Sequence, residues 1–430
     1  MQRPKGGYVY LKCMNSQKKI LLITAVYPPE PQISARMSFD LSRYIVGLNH
    51  SVFVLCPQPS RLILNDVHKK LLSRKPIKLV QDGVVVAWLP SFLAPQSQLL
   101  LRMWESFSFG WHVTKYIDSM SKRPDVLYVN SWPLFSQLLI AIYAKRNSIP
   151  FVLQIMDIYP EALTNKLPSF FRLLIHVPLR RLDAWIAGSA SKVLVISENM
   201  RTTYVNNRGL KLDSVTTIPT WQDESIFENI TARSVSCEKY NIPVSPFTFL
   251  FLGNIGPVAG VDFLIRAFAA ADIGYAQLLI VGDGAAKADC LKLTKQLNLS
   301  RVHFVSDPEA SNVPALQSMA HVCLLPMKRG SGMSSIPSKL PSYLFSAKPV
   351  IATVDLGSDT AHFVRQADCG WVGEPEDCSW LANKMREVSV LPAERLEQLG
   401  KRGKKFGLSH FSKSAGVARL AREILQAAGE

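Results

Sequence analysis

Along the chain, short runs of apolar residues alternate with longer stretches in which apolar residues recur every three or four positions. In the first half the short runs are KILLITAV, HSVFVLCP, VVVAWLP, DVLYVN, PFVLQIMD and KVLVIS. Runs of this length, apolar on both faces, are expected of strands buried in a parallel sheet. Between the first two, ARMSFDLSRYIVGL spaces Met37, Leu41, Tyr44, Ile45 and Leu48 for a helix. Near residue 216 the pattern stops, and TTIPTWQDESIFENITARSVSCEKYNIPVSPF, with three prolines, reads as a junction. A second series follows in FTFLFLGNIG, QLLIVGDG, VHFVS, HVCLLPM and PVIATV. The pattern predicts an α/β protein with two doubly wound parallel sheets in series. The expected boundaries are a flexible N-terminal tail over 1–17, a first domain over 18–215, a linker over 216–246 and a second domain from 247. Ligands of such folds sit at the carboxyl ends of the strands.

Charge narrows the choice of partner. The chain has 430 residues, 48% hydrophobic and 19% charged, with a formal net charge of +16. That balance argues for a folded protein with an anionic partner such as acidic lipid or a phosphorylated small molecule. Nucleic acid is disfavoured, because the basic residues are scattered and neither an RNA-binding aromatic signature nor zinc-finger spacing is present. The seven cysteines form no CxxC pair, and several fall in strand-like runs, as expected of reduced core thiols. No run approaches the roughly 18 apolar residues of a transmembrane helix. Lys18-Lys19 before ILLITAV imitates a signal peptide, but the run is short and no small-residue cleavage site follows.

Two strands run straight into glycines. FLGNIG supplies Gly253, Asn254 and Gly256, and LLIVGDGAA supplies Gly282 and Gly284, in turns where backbone amides can approach a ligand. Farther on, GMSSIPSKLPSYLFSAKPVIA, from Gly332 to Ala352, contains no Asp or Glu. The best helix start there is Ser338 as N-cap, since Pro341 then falls in the first turn, where its missing N–H costs nothing. The free amides of that turn, with Lys339 and the preceding Lys328-Arg329, make a positive pocket suited to a diphosphate. Asp157 ends a buried strand with Glu161 one turn beyond, and these two carboxylates are the candidate catalytic residues; Asp157 is either an acceptor-side base or a cap. Arg36 stands after the first loop, as a phosphate contact or a solvated helix residue. In KLPSFFRLLIHVPLRRLDAWIAG, Phe170, Phe171, Leu174 and Ile175 are interleaved with Arg172, Arg180 and Arg181. That is expected either of a helix lying on an acidic bilayer or of a core helix with exposed arginines.

From FLGNIG through VGDG, LLPM, PSKLPSYLFSAKPVIA and GWVGEPED, the second half resembles the group 1 (family 4) glycosyltransferases. In the first half, YPPEPQISAR, HSVFVL and MDIYPEAL resemble that family's first loop, its "GHxVxVL" strand and its "DLWPE" segment. The nearest subgroup is similar to enzymes that build capsule, colanic-acid-like and O-antigen polysaccharides. The resemblance implies a GT-B fold of two facing Rossmann-like domains, with the acceptor on 18–215 and the nucleotide sugar on 247–404. It further implies a terminal helix, within 405–430, that crosses back to the first domain. The implied reaction retains anomeric configuration, needs no metal or other cofactor and uses a nucleotide-sugar co-substrate, UDP-linked by family resemblance. Donor contacts are then expected at Gly253, Asn254, Gly256, Gly282, Gly284, Lys328, Gly332, Ser334, Ser335, Ser338, Lys339 and Ser342.

The chain departs from the family pattern at informative places. The two glutamates of the E-x7-E motif fall at Ser334 and Ser342, the glycine before KPV is Ala347, and the histidine before Asp157 is Met156. A front-face transfer, in which the departing phosphate oxygen takes the acceptor proton, relies on charge stabilisation and positioning more than on carboxylates. The expected protein is therefore a retaining glycosyltransferase of bacterial surface-polysaccharide synthesis. It would act on a lipid-linked acceptor, peripherally attached to the inner face of the cytoplasmic membrane. Two alternatives share the fold: a nucleotide-sugar 2-epimerase, expected to have a cleft richer in acids and histidines, and a catalytically silent relative acting as an assembly partner.

Overall fold

The computed structural model describes residues 17–30, 32–59, 76–92, 98–130, 134–161, 169–257, 259–306, 309–330 and 336–430. The strands in chain order are β1 (Lys19–Thr24), β2 (Ser51–Pro57), β3 (Ile77–Gln81), β4 (Val84–Leu89), β5 (Val126–Asn130), β6 (Phe151–Ile155), β7 (Lys192–Val195) and β8 (Val215–Thr217). They continue as β9 (Phe247–Leu252), β10 (Ala276–Val281), β11 (Val302–Val305), β12 (Val322–Pro326), β13 (Val350–Thr353) and β14 (Gly370–Gly373). Among the described residues they form an eight-stranded sheet, β3-β4-β2-β1-β5-β6-β7-β8, and a six-stranded sheet, β11-β10-β9-β12-β13-β14.

The pairings are parallel except β3 with β4. The edge strand β3 is exposed along most of its length and has no counterpart in the apolar pattern. An edge strand with little burial carries no apolar signature. The first helix, α1 (Ile33–Gly47), buries Met37, Leu41 and Ile45 as its spacing predicts, whereas Tyr44 and Leu48 are exposed. Of the cysteines, Cys56, Cys237, Cys290, Cys323 and Cys369 are free and buried. Among the described residues no helix is long and apolar enough to cross a membrane.

The remaining helices are α2 (Leu99–Asp118), α3 (Phe135–Arg146), α4 (Ser169–Ser189), α5 (Glu198–Arg208), α6 (Arg233–Lys239), α7 (Val261–Ala271) and α8 (Lys287–Gln296). They are followed by α9 (Val313–Ser318), α10 (Lys339–Phe345), α11 (Asp359–Gln366), α12 (Cys378–Ser389), α13 (Ala393–Phe411) and α14 (Lys413–Ala427). The chain divides into two compact units: Met1–Gln154 with Trp185–Lys192 and Leu420–Glu430, and Ile155–Ala184 with Val193–Arg419. The end of the chain thus belongs to the first unit, where Glu423 pairs with Lys192 at 3.4 Å and Glu430 lies 3.3 Å from His50.

In the second unit, the start of β9 is fixed by a half-buried polar cluster. His321 Nδ1 accepts the Thr248 N–H at 2.9 Å, and its ring stacks on Phe247 with centroids 4.6 Å apart. Arg233 donates to the carbonyls of Met319 and Pro246 and to the Thr248 hydroxyl. Burial, reinforced by Arg233 and Lys348, pushes His321 down to about 4. As pH falls, the unfolded chain therefore takes up this proton first. The stability that His321 contributes is intact above about pH 6.5, the ordinary imidazole value, and is lost on the way down to about pH 4. Melting temperature is accordingly expected to decline across that window. In His321→Gln, which keeps an acceptor and cannot titrate, the decline should be shallower; equal slopes would assign acid sensitivity to other groups.

Candidate active site

The glycine loops meet at the carboxyl ends of adjacent strands. Parallel pairing of β9 and β10 sets Leu252 beside Val281, so Gly253 and Gly282 emerge at the same level. The Gly253 N–H donates to Val281 O at 2.9 Å, Ile255 N–H to Asp283 O at 2.8 Å and Ala286 N–H to Ile255 O at 3.0 Å. This interleaving demands glycine. Gly282 has φ +138°, and a Cβ there would lie 2.1 Å from the Gly253 carbonyl oxygen. Gly284, at φ +156°, would put a Cβ 2.4 Å from Asn254 Oδ1. The loops therefore present bare backbone, as close approach to a phosphorylated ligand requires. Beside them a groove of about 460 Å3 is lined in part by Gly256, Pro257, Ala286 and Lys328, a volume within the usual range for small-molecule sites.

Lys339 joins this arrangement from α10. Gly253 has φ +148°, and a Cβ on it would fall 2.4 Å from Lys339 Cε, so the glycine makes room for the lysine stem. The ammonium lies 5.2 Å from the Phe251 ring centroid, and burial lowers its pKa. It meets no carboxylate and no hydrogen-bond acceptor among the described residues. Neighbouring cations are engaged: Lys287 with Asp283 at 2.6 Å and Arg329 with Glu374 at 3.4 Å. A desolvated ammonium without a counter-charge is suited to an anionic ligand.

The helix starts directly after Ser338, with Pro341 in its first turn. Ser338 does not cap it with its side chain, however. Its backbone is itself helical (φ −58°, ψ −16°), not the extended conformation that turns a hydroxyl onto the following amides. Its carbonyl instead accepts from Gln222 Nε2 at 2.6 Å. Ser342 is buried, and its hydroxyl accepts from Gln317 Nε2 at 2.6 Å, inside the domain. Gly332, Ser334 and Ser335 lie outside the described residues.

Three supports of this helix carry no signal in strand or helix periodicity. The Tyr343 hydroxyl accepts the Leu252 N–H at 2.9 Å, tying α10 to the strand end before Gly253. Gln317 bridges Ser342 and Ser346. Gly400, Gly403 and Gly407 bring α13 directly against α10 and the turn after it: a Cβ on Gly400 would lie 1.9 Å from Ala347 O, and one on Gly407 2.9 Å from Leu344 Cβ. The spacing LGKRGKKFG, with small residues on one helical face, is the feature that signals this contact.

Elsewhere in this unit, Asp157 is exposed just past β6, and both oxygens of the Glu161 carboxylate accept from one nitrogen of Arg208, Nη2, at 2.9 and 2.7 Å. Arg36 is exposed on α1 in the first unit. Arg180 and Arg181 are exposed on α4; Phe170, Phe171 and Arg172 fall in its opening turns, with side chains outside the described residues.

Sheets of this order, with glycine loops at the strand ends and a chain end that belongs to the first unit, are the features of a two-domain GT-B fold. Solved structures agree on the fold. A glycosyltransferase from Rickettsia africae aligns with TM-score 0.70 at 15% identity, covering 95% of this chain and 99% of that one. Anabaena Alr3699/HepE, crystallised with UDP, aligns with TM-score 0.66 at 16% identity, covering 95% and 100%. "Glycosyltransferase Family 4" matches residues 34–225 and "Glycosyl transferases group 1" residues 233–406. The chain belongs to the group 1 (family 4) glycosyltransferases. Its sequence is 23% identical, over 87% of this chain and 93% of the relative, to WcaI of Escherichia coli (strain K12), named as a colanic acid biosynthesis glycosyl transferase. WbjE of Pseudomonas aeruginosa, named as a glycosyltransferase, is also 23% identical, covering 70% and 74%.

Proposed function

We propose that this glycosyltransferase takes a UDP-linked sugar and transfers it, with retention of configuration, to a lipid-linked saccharide in the assembly of a bacterial surface polysaccharide. The observation that carries the donor half is Lys339, a desolvated cation without a counter-charge among the described residues, beside the bare backbone of Gly253. Diphosphate oxygens would supply the missing charge, and Asn254, Gly256, Gly282, Gly284 and Lys328 are its proposed neighbours. The structure of Alr3699/HepE in complex with UDP-glucose shares the fold at TM-score 0.61, which supports a UDP sugar as the first donor to try. In the step itself, the bond from the anomeric carbon to the phosphate oxygen breaks as the bond to the acceptor oxygen forms on the same face. The acceptor proton passes to the departing phosphate. The protein's part is to neutralise the growing diphosphate charge and hold the acceptor, a role we give to Lys339 and Asp157 respectively. Thermal-shift titration with UDP, GDP, dTDP and CMP tests the donor. A ligand at 100 times its Kd adds about 2.7 kcal/mol, and absence of a response to all four would oppose the reading.

For the acceptor, we place the protein at an anionic membrane surface. In the first unit, α2 exposes Leu101, Trp104 and Trp111 at helical spacing, with the Lys115 ammonium 4.9 Å from the Trp111 ring. Exposed tryptophans interleaved with cations suit the headgroup layer. Sedimentation with phosphatidylglycerol vesicles is expected at low salt, with release at high salt, since each basic residue near the surface adds about 1 kcal/mol and is screened. Trp104→Ala with Trp111→Ala should weaken it. Equal recovery with neutral and anionic vesicles would count against this surface.

A further inference from the structure

Arg208, the last residue of α5, has a side chain wholly enclosed in the second unit. Its Nη2 donates to the Tyr159 carbonyl at 2.7 Å and to both oxygens of Glu161, and its Nε donates to Asp183 Oδ2 at 2.8 Å. The Tyr204 hydroxyl donates to the other Asp183 oxygen at 3.2 Å. Burial pushes the Asp183 carboxyl up to about 6, against the pull of Arg208. Nη1 is buried without a hydrogen-bond partner among the described residues.

A buried cluster of this kind is a poor way to gain stability. Desolvating the ions offsets most of their attraction, and apolar side chains of equal volume serve as well or better. What a guanidinium supplies is direction: a planar fork fixes where its partners stand. Two of the groups fixed by this fork, the Tyr159 carbonyl and Glu161, belong to the segment that leaves β6 and carries the exposed Asp157. Residues 156–160 lie outside strand and helix, so this bonding substitutes for a backbone ladder there.

We propose that Arg208 is a positioning residue of the transfer reaction: braced by Asp183 and Tyr204, it clamps Tyr159 and Glu161 and so sets the backbone from which Asp157 meets the acceptor. This rests on the reading of Asp157 as the acceptor-side group. Glu161 is then part of the clamp and not a second catalytic carboxylate. A lysine keeps the charge but cannot serve acceptors on two sides of a planar fork, so Arg208→Lys should not rescue the function.

Hydrogen exchange read by mass spectrometry decides this without a known acceptor. In Arg208→Lys the peptide spanning 155–161 should exchange at least tenfold faster, while peptides of β9 to β13 keep wild-type rates and calorimetric UDP affinity stays within twofold. Glu161→Gln, altering the partly exposed partner, should give the same local change with less risk to folding. Turnover of UDP-glucose should fall about 10- to 100-fold in Arg208→Lys, as a small misplacement of a reacting group can cost, and adding Arg208→Lys to Asp157→Asn should lower it no further than Asp157→Asn alone. Wild-type exchange at 155–161 in both variants would overturn the clamp whatever Asp157 does. Faster exchange there, with normal turnover in Asp157→Asn, would keep the clamp and sink the role given to Asp157.

Discussion

Replacing Lys339 with alanine should weaken UDP binding by about 10- to 150-fold, the equivalent of one charge-assisted contact worth roughly 1.5–3 kcal/mol. Uridine, which has no phosphates, should bind the variant and the wild type alike. The melting temperature of the unliganded protein should hardly move. That last expectation comes from the structure: the ammonium sits desolvated by Gly253 and over Phe251 with no anionic partner among the described residues, so removing it relieves an unfavourable burial while sacrificing some stem packing. Calorimetric titration checks all three statements. Equal UDP affinity in the two proteins would place the diphosphate elsewhere and undo the donor half of the proposal.

Asp157→Asn should retain the fold and UDP affinity while lowering turnover by roughly 100-fold or more, since a group that orients the acceptor acts mainly in the transition state. The exposed position of Asp157 makes this a clean substitution, because no buried partner is stranded by it. Single-turnover measurement with a sugar nucleotide of whichever nucleotide gives the largest thermal shift separates binding from chemistry. A wild-type rate would return Asp157 to the role of a turn cap.

How far the site could be read from the chain differs residue by residue. Gly253, Gly282 and Gly284 were legible because each follows an apolar strand, and only glycine tolerates their positive φ. Lys339 was legible as a cation at a helix start; that no carboxylate among the described residues meets it was not, since that depends on which side chains return to it. Ser342 shows the reverse case. It occupies the place of a family glutamate, yet its hydroxyl is bonded to Gln317, a partner that periodicity does not reveal. Glu161 was legible as a carboxylate one turn beyond Asp157; the Arg208 guanidinium that folding sets against it was not.

The sequence by itself determined the two series of buried parallel strands, the glycine turns at their ends and the surplus of positive charge. Each of these is a local property: apolar on both faces, free of Cβ, or simply summed. The tertiary structure alone decided which polar groups meet. It added β3 as an edge strand that needs only the register of β4, tied Tyr343 to the end of β9, drew α13 onto α10 through Gly400, Gly403 and Gly407, and enclosed Arg208 between Glu161 and Asp183. Such contacts join residues far apart in the chain. Their energies depend on burial and direction, which no window of sequence contains.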